Sequence, residues 1–258
     1  MTMEMTGIGW DHSAPAWLAQ MGDAGDATRR YVLDAPMLSA LPQAGAALDL
    51  GCGEGRFCRI MRARGLTPTG IDPTAALIEA ARARDPGGHY VQCGAEALGF
   101  EDASFDVAVF YLSLIDIADF RAAIREAARV LRPGGRLLIG NLPDYTTARP
   151  RGWQGEGSHW VIEADQRRYL ALDDMLIERA FPAAWDDIRI ENYHRPLSAY
   201  MGALLEAGLR LIRFENPPFT GPEGPIKDRF ERMPWAFFMA WDKPEYHDDH
   251  HSSENIKV

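Results

Sequence analysis

The chain is poor in several features, and each shortage removes a class of protein. Cysteine is scarce: Cys52, Cys58 and Cys93 are odd in number and form no CxxC pair, so neither a disulfide framework nor a zinc ribbon is indicated. No apolar run approaches the roughly 18 residues that a membrane span needs, and the opening MTMEMTGIGWDHS has no basic stretch followed by an apolar one. A cytoplasmic protein with no membrane partner is therefore expected. Positive charge is in deficit as well. A formal charge of −10 argues against wrapping DNA or RNA, because such partners are held by Lys and Arg that neutralise phosphate. Internal repeats are absent. What remains, 258 residues at 47% apolar and 25% charged, has the composition of a globular protein, long enough for one domain with an insertion.

From Ala46 to Asn141 short apolar runs alternate with longer helical ones, which is the pattern of βαβ units and a parallel sheet. Strands are predicted at Ala47 to Leu50, Pro68 to Ile71, Tyr90 to Cys93, Asp106 to Phe110 and Arg136 to Ile139. Between them, Thr74 to Arg84 is rich in helix formers, and Phe120, Ile124, Ala127, Ala128 and Leu131 form one helical stripe ahead of Pro133-Gly-Gly135. Beyond Asn141 the period is lost, so residues 142–192 read as an insertion. Regularity returns with a helix over Pro196 to Ala207 and strands near Leu209 to Phe214 and Trp235 to Trp241. The division expected is a helical cap region over 1–44, a core over 45–141, the inserted cap segment, the rest of the core over 193–242, and a disordered polar tail over 243–258. No metal site is expected, since His247, His250 and His251 in that tail have no apolar neighbours to fix their geometry.

The stretch Ala46-Ala-Leu-Asp-Leu-Gly-Cys-Gly-Glu-Gly-Arg56 carries the chemistry. A strand running into a glycine turn usually offers backbone N–H groups and a helix N-terminus to phosphate. Asp49 at the strand's mouth would repel a pyrophosphate, and the dinucleotide fingerprint G-x-G-x-x-G fails because its third glycine would fall on Arg56. A cationic ligand without phosphate removes the conflict. S-adenosylmethionine, which carries an ammonium and a sulfonium, is such a ligand.

With those residues in view, Ala46 to Arg56 resembles the first motif of the class I S-adenosylmethionine-dependent methyltransferases, and later segments follow in order. Asp72, in Gly70-Ile-Asp-Pro73 about 20 positions after Gly51, stands where an acid accepts hydrogen bonds from ribose hydroxyls. Cys93-Gly-Ala-Glu-Ala-Leu98 is similar to the segment that meets the adenine, with Gly94 where many members have an aspartate. Ser104 to Ser113 resembles the motif whose strand end passes the methyl-donating sulfur. Glu126 to Arg136 is close to the family's helix, turn and fifth strand. The resemblance covers Gly45 to Asn141 well and the last helix and strands loosely. It implies a three-layer Rossmann-like α/β fold with a seven-stranded, mostly parallel sheet and an antiparallel last strand, plus the inserted cap segment. It also implies S-adenosylmethionine as cosubstrate, held by Asp49, Gly51, Cys52, Gly53, Asp72, Pro73, Ala95, Glu96, Phe110 and Tyr111. Cys52 and Cys93 are read as space fillers beside the ligand, not nucleophiles.

Methyl transfer needs mainly proximity and alignment, although a hydroxyl acceptor gains from a general base. His194 is the candidate base or substrate contact, in Asn192-Tyr-His-Arg-Pro-Leu-Ser198, with Tyr193 beside it and Arg195 as a possible carboxylate holder. The alternative is that His194 and Tyr193 anchor the insertion. Trp10, Trp17, Trp153, Trp160 and Tyr169 could form an apolar lid over a small organic acceptor, O or N at the accepting atom, or be ordinary packing. Two rival readings stand beside this one: a noncatalytic binder of the same ligand, and a nicotinamide oxidoreductase.

Overall fold

The computed structural model describes residues 8–148, 159–163 and 166–245. In chain order the strands are β1 (Gly45–Leu50), β2 (Leu66–Asp72), β3 (His89–Gln92), β4 (Phe105–Tyr111), β5 (Leu131–Asn141), β6 (His159–Glu163), β7 (Gln166–Ala171), β8 (Arg179–Trp185), β9 (Ile188–His194), β10 (Arg210–Glu215) and β11 (Phe237–Asp242). The helices are α1 (Trp10–Met21), α2 (Asp34–Ala40), which a π-helical turn over Arg29–Leu33 leads into, α3 (Arg56–Ala63), α4 (Ala75–Arg84), α5 (Phe120–Val130), α6 (Asp144–Thr147), α7 (Leu197–Glu206) and α8 (Pro225–Glu231).

Seven strands form one sheet in the order β10-β11-β5-β4-β1-β2-β3. β1 pairs in parallel with both β2 and β4, while β11 is antiparallel to β5 and to β10. Strand alternation sorts the side chains into two layers of core. In β4, Ala108 and Phe110 pack with α5 and α7, whereas Val107, Val109 and Tyr111 pack with Met37 of α2 and with Phe57 and Met61 of α3. Helix α5 shows why the sequence reads as it does. Its buried residues Phe120, Ile124, Ala127 and Ala128 recur at three and four, and Asp119 caps it by accepting the Ala122 N–H at 2.9 Å.

Chain order along the sheet reverses between β1 and β4, and in such sheets the ligand crevice opens at the carboxyl ends of the strands at that point. The cap sits there. The hairpin β8–β9 and helix α1 share a small core of Phe181, Ala183, Ile188 and Ile190 with Trp10, Trp17 and Trp185 against it. Gly9 N–H donates to the Arg189 carbonyl at 2.9 Å, and the Ser13 hydroxyl reaches the same oxygen at 3.0 Å. The two variable segments thus close on each other over the sheet edge.

The stretch that shows no period in sequence holds the hairpins β6–β7 and β8–β9. In β8 the outward residues Ala180 and Pro182 are hardly more polar than the inward Phe181 and Ala183, so the alternation does not show. In β9 the alternation is clean, but two of its buried positions are Asn192 and His194. β9 also runs through the boundary expected at 192/193. The tail histidines His247, His250 and His251 lie outside the described residues, as does Trp153. Among the described residues no helix is long and apolar enough to cross a membrane.

Candidate active site

At the end of β1 the chain turns through Gly51 and Gly53, with φ of 78° and 54°. The first turn position is crowded and the second open. A Cβ on Gly51 would lie 2.5 Å from that of Ser113, whereas one on Gly53 would meet nothing nearer than the Trp17 indole nitrogen at 4.0 Å. The turn is sewn to β2 by backbone and side chain together. Gly51 and Cys52 both donate their N–H to the Ile71 carbonyl, at 2.9 and 2.8 Å. Asp72 accepts Gly53 N–H on Oδ2 at 3.0 Å and Thr74 N–H on Oδ1 at 2.9 Å. At the end of β4, Leu112 takes a left-handed φ of 55°, sparsely populated for a branched side chain, and is held there by its N–H on the Gly140 carbonyl at 2.8 Å.

These strand ends floor a cavity of about 860 Å³. Part of the lining is polar, with Asp49, Gly51, Gly53, Asp72 and Ser113. Another part is apolar and includes Trp10, Phe181, Trp185, Ile190, Phe230 and Trp235. The electrostatics of the polar part are one-sided. The cavity-lining cations, Arg29 and Arg56, are each taken by an acid: Arg29 by Asp26, and Arg56 by Asp34 through a two-pronged contact at 3.0 and 2.5 Å. Glu54, buried, is met by Arg59 at 2.7 Å and Arg84 at 2.9 Å. Asp49, Asp72 and Asp116 face the cavity with no cationic side chain among the described residues in a salt bridge to them.

Asp49 is the most telling of the three. It is buried, and among the described residues Oδ2 accepts only the Cys58 thiol, at 3.4 Å, and Oδ1 has no hydrogen-bond partner. Burial pushes its pKa up to about 7, against a smaller opposing pull from the Cys58 hydrogen bond. An unpartnered buried carboxylate oxygen costs free energy unless a donor meets it. A cationic ligand nearby favours the ionised carboxylate, whereas a pyrophosphate opposes it.

Residues 48–139 match the family described as methyltransferase domain. The core of this chain is similar in sequence to methyltransferase domains. The chain is 36% identical over 117 residues to the malonyl-[acyl-carrier protein] O-methyltransferase of Salmonella typhimurium, covering 43% of this chain and 45% of that one. To the O-methyltransferase resE of Aspergillus sclerotiorum it is 42% identical over 104 residues, 37% of this chain and 39% of that one. It thus spans less than half the length of these relatives. Its fold is similar to that of an S-adenosylmethionine-dependent methyltransferase from Mesorhizobium loti, with a TM-score of 0.69 at 23% identity, covering 86% of this chain and all of that one. The [4+2]-cyclase SpnF shares it as well, at a TM-score of 0.59 and 20% identity over 92% of this chain and 95% of that one, so architecture alone does not set the reaction.

Of the residues expected to hold the cosubstrate, the fold brings Asp49, Gly51, Cys52, Gly53, Asp72, Pro73 and Tyr111 to the cavity wall. Phe110 is fully buried on the opposite face of β4, because neighbouring strand residues point to opposite sides. Ala95 is buried in that same core, and Glu96 is half-buried beside Gly94; neither lines the cavity. Arg56, which occupies the place of a dinucleotide glycine, ties α3 to the cap through Asp34 and the Ala24 carbonyl at 2.8 Å.

His194 does not line the cavity. Its ring is buried, with Nδ1 3.0 Å from the Thr147 hydroxyl and Nε2 3.0 Å from the Met175 carbonyl, and burial lowers its pKa. A ring with both nitrogens engaged behind the wall positions the wall; it is not placed to take a proton from an acceptor. Tyr193 is outside the cavity too, its hydroxyl on Glu191 at 2.6 Å. Arg195 is buried and gives its fork to the carbonyls of Leu114, Ile117 and Ala118. It is not available to a substrate carboxylate. Among the aromatic lid candidates Trp10 and Trp17 line the cavity, whereas Tyr169 is exposed away from it; the side chain of Trp160 is not described. Sequence reasoning missed Asp116 and Asn192, which line the cavity together.

Proposed function

We propose that this protein transfers a methyl group from S-adenosylmethionine to a small organic acceptor enclosed beneath the cap, leaving S-adenosylhomocysteine. The observation that carries the reading is one continuous cavity lined by acids and glycines together with aromatic side chains. Asp49 would favour the cationic portion of the cosubstrate through its charge, the open face of Gly53 lets backbone and ligand approach, and Asp72 would receive ribose hydroxyls on its remaining lone pairs. The chemistry supplied by the bound cosubstrate is an activated methyl on a sulfonium. The protein's part is alignment and the exclusion of water, which together account for much of such a rate.

The Salmonella relative is named for a malonyl group on a carrier protein. The family match of this chain ends at residue 139, before the segment 181–192 that helps build the apolar part of the cavity, so that acceptor does not transfer with the match. A free small molecule fits the enclosed aromatic lining better, and the −10 charge disfavours nucleic acid. Calorimetric titration with S-adenosylhomocysteine, followed by a screen of phenols, amines and carboxylates with radiolabelled donor, tests the reading. Saturable one-site binding with transfer to one class is expected. No binding would overturn it, and binding with no transfer to any class would leave the protein a noncatalytic binder.

A further inference from the structure

The turn after β4 carries a group that the reading above does not yet use. Asp116 lines the cavity from a turn closed by its own N–H on the Ser113 carbonyl at 2.9 Å. That turn is clamped from behind. Arg195 donates to the carbonyls of Leu114 at 2.9 Å, Ile117 at 2.5 Å and Ala118 at 2.9 Å, and its guanidinium is sandwiched between the rings of Phe120 and Tyr193, at 4.4 and 4.5 Å. Tyr193 N–H adds a bond to the Ile115 carbonyl at 3.0 Å. In front, the side-chain amide of buried Asn192 donates to Asp116 Oδ1, which fixes the carboxylate's plane. Oδ2 takes no hydrogen bond from the described residues. A rigid backbone, an oriented carboxylate and one free oxygen on a cavity wall describe a preorganised acceptor of a proton.

We infer that Asp116 is a catalytic base for a planar hydroxylic acceptor, a phenol or an enol, bound between Phe181, Trp185 and Ile190 with its O–H on Asp116 Oδ2. The inference rests on the methyl-transfer reading. In the step it describes, a lone pair of the acceptor oxygen forms the new O–C bond as the C–S bond breaks and leaves its pair on sulfur. The O–H proton passes to Oδ2. One positive charge on sulfur and one negative charge on the carboxylate disappear together, and charge annihilation is favoured in a site of low dielectric.

Other acceptor classes fit less well. The cations on the cavity wall are already matched, Arg29 with Asp26 and Arg56 with Asp34, so an acceptor carboxylate would face Asp116 with no free counter-ion. An amine would bind as its ammonium, held by Asp116 in its non-nucleophilic form. The charged and titratable groups that bear on Asp116 are Arg29 from the π turn, Asp72 from the end of β2, Arg195 and Tyr193 behind the turn, and Tyr200 of α7. Desolvation dominates among these influences and pushes Asp116 well above the ordinary carboxylate range, which strengthens it as a base.

The test uses the full chain saturated with S-adenosylhomocysteine and two probes of one shape: 2-naphthol and 2-naphthoate. Binding is read by quenching of the cavity tryptophans, and transfer by tritiated methyl. The wild type is expected to bind naphthol at least about tenfold tighter than naphthoate, and Asp116→Asn to close that gap by gaining naphthoate. Asp116→Asn should slow transfer to naphthol by about 10²–10⁴-fold with S-adenosylhomocysteine affinity unchanged, while Asp116→Glu recovers part of the rate. Naphthoate bound as tightly as naphthol, no probe bound, or full transfer by Asp116→Asn would overturn the inference. Failure to bind S-adenosylhomocysteine would instead overturn the reading beneath it.

Discussion

Asp72 and Gly53 are joined by a single 3.0 Å hydrogen bond, from the backbone N–H of the first motif to a carboxylate oxygen of the second. The acid therefore holds the glycine turn in shape as well as facing the cavity. Asp72→Ala removes the acceptor for two backbone N–H groups and one wall of the proposed ribose site, so cosubstrate affinity should fall by about 2–4 kcal/mol, with a measurable loss of stability. Asp72→Asn keeps one acceptor oxygen and should lose less on both counts. Calorimetry with S-adenosylhomocysteine beside thermal unfolding separates the two effects. Unchanged affinity in Asp72→Ala would remove the residue from the site.

The glycines of the turn should differ in their tolerance of a methyl group. Gly51→Ala drives a Cβ into Ser113 at 2.5 Å from its Cβ, between two backbone segments that cannot yield, and the protein should fold poorly. Gly53→Ala meets open cavity and pays only for its left-handed backbone, about 1–2 kcal/mol. It should fold and lose cosubstrate affinity, because the added methyl occupies the space the ligand needs. Circular dichroism melts and titration of both variants check the asymmetry.

Burial raises Asp49 to about 7 in the free protein, which gives a pH dependence of definite sign. The folded pKa lies above the unfolded value, so the stability Asp49 contributes is fully present below about pH 4 and is lost as pH rises towards 7. The ammonium group that S-adenosylhomocysteine shares with the cosubstrate favours the ionised form and draws the proton off. Affinity for S-adenosylhomocysteine should therefore improve as pH rises from 6 to 8, by up to about tenfold per unit on the acid side, with proton release seen in buffers of different ionisation enthalpy. Asp49→Asn should bind weakly and show a flat profile.

The core and the polar part of the cavity were legible because their signals are local. The apolar run, the carboxylate and the glycines of β1 lie within eleven residues, and Asp72 sits at the end of the next strand. The part around Asp116 was not. Asn192 meets Asp116 across 76 positions, and nothing in Leu-Ile-Asp-Ile-Ala distinguishes that acid from a surface one. The surroundings of His194 were not legible for the matching reason. A histidine's chemistry is visible in sequence, whereas the Thr147 hydroxyl and Met175 carbonyl that occupy it are not. Phe110 and Tyr111 show that alternation alone would have chosen between neighbours, since only one of two successive strand residues can face a given layer.

His194 supplies the contrast to Asp116. Its two ring nitrogens tie β9 to Thr147 of α6 and to the loop before β8, so its loss loosens the wall instead of removing a base. His194→Ala should cost about 1–3 kcal/mol of stability, from a buried carbonyl and a hydroxyl left unpaired, and leave S-adenosylhomocysteine binding within about twofold. Because burial already holds the ring's pKa down, the transfer rate should keep its wild-type pH profile even where its magnitude drops.

Arg195 is the neighbour of the Asp116 turn whose loss should be felt furthest from its own position. One buried guanidinium satisfies three carbonyls of the turn that carries Asp116, in a slot between two aromatic rings. Lysine cannot reproduce that arrangement, since a point charge with rotating donors neither spans the three oxygens nor stacks as a plane. Arg195→Lys and Arg195→Met should both lose about 2–4 kcal/mol in denaturant unfolding. Transfer to a hydroxyl acceptor should fall further than cosubstrate affinity does, because the Asp72 and Gly53 part of the cavity is held by bonds of its own. Equal losses in the two measurements would mean that the turn after β4 serves the whole cavity and not the acceptor alone.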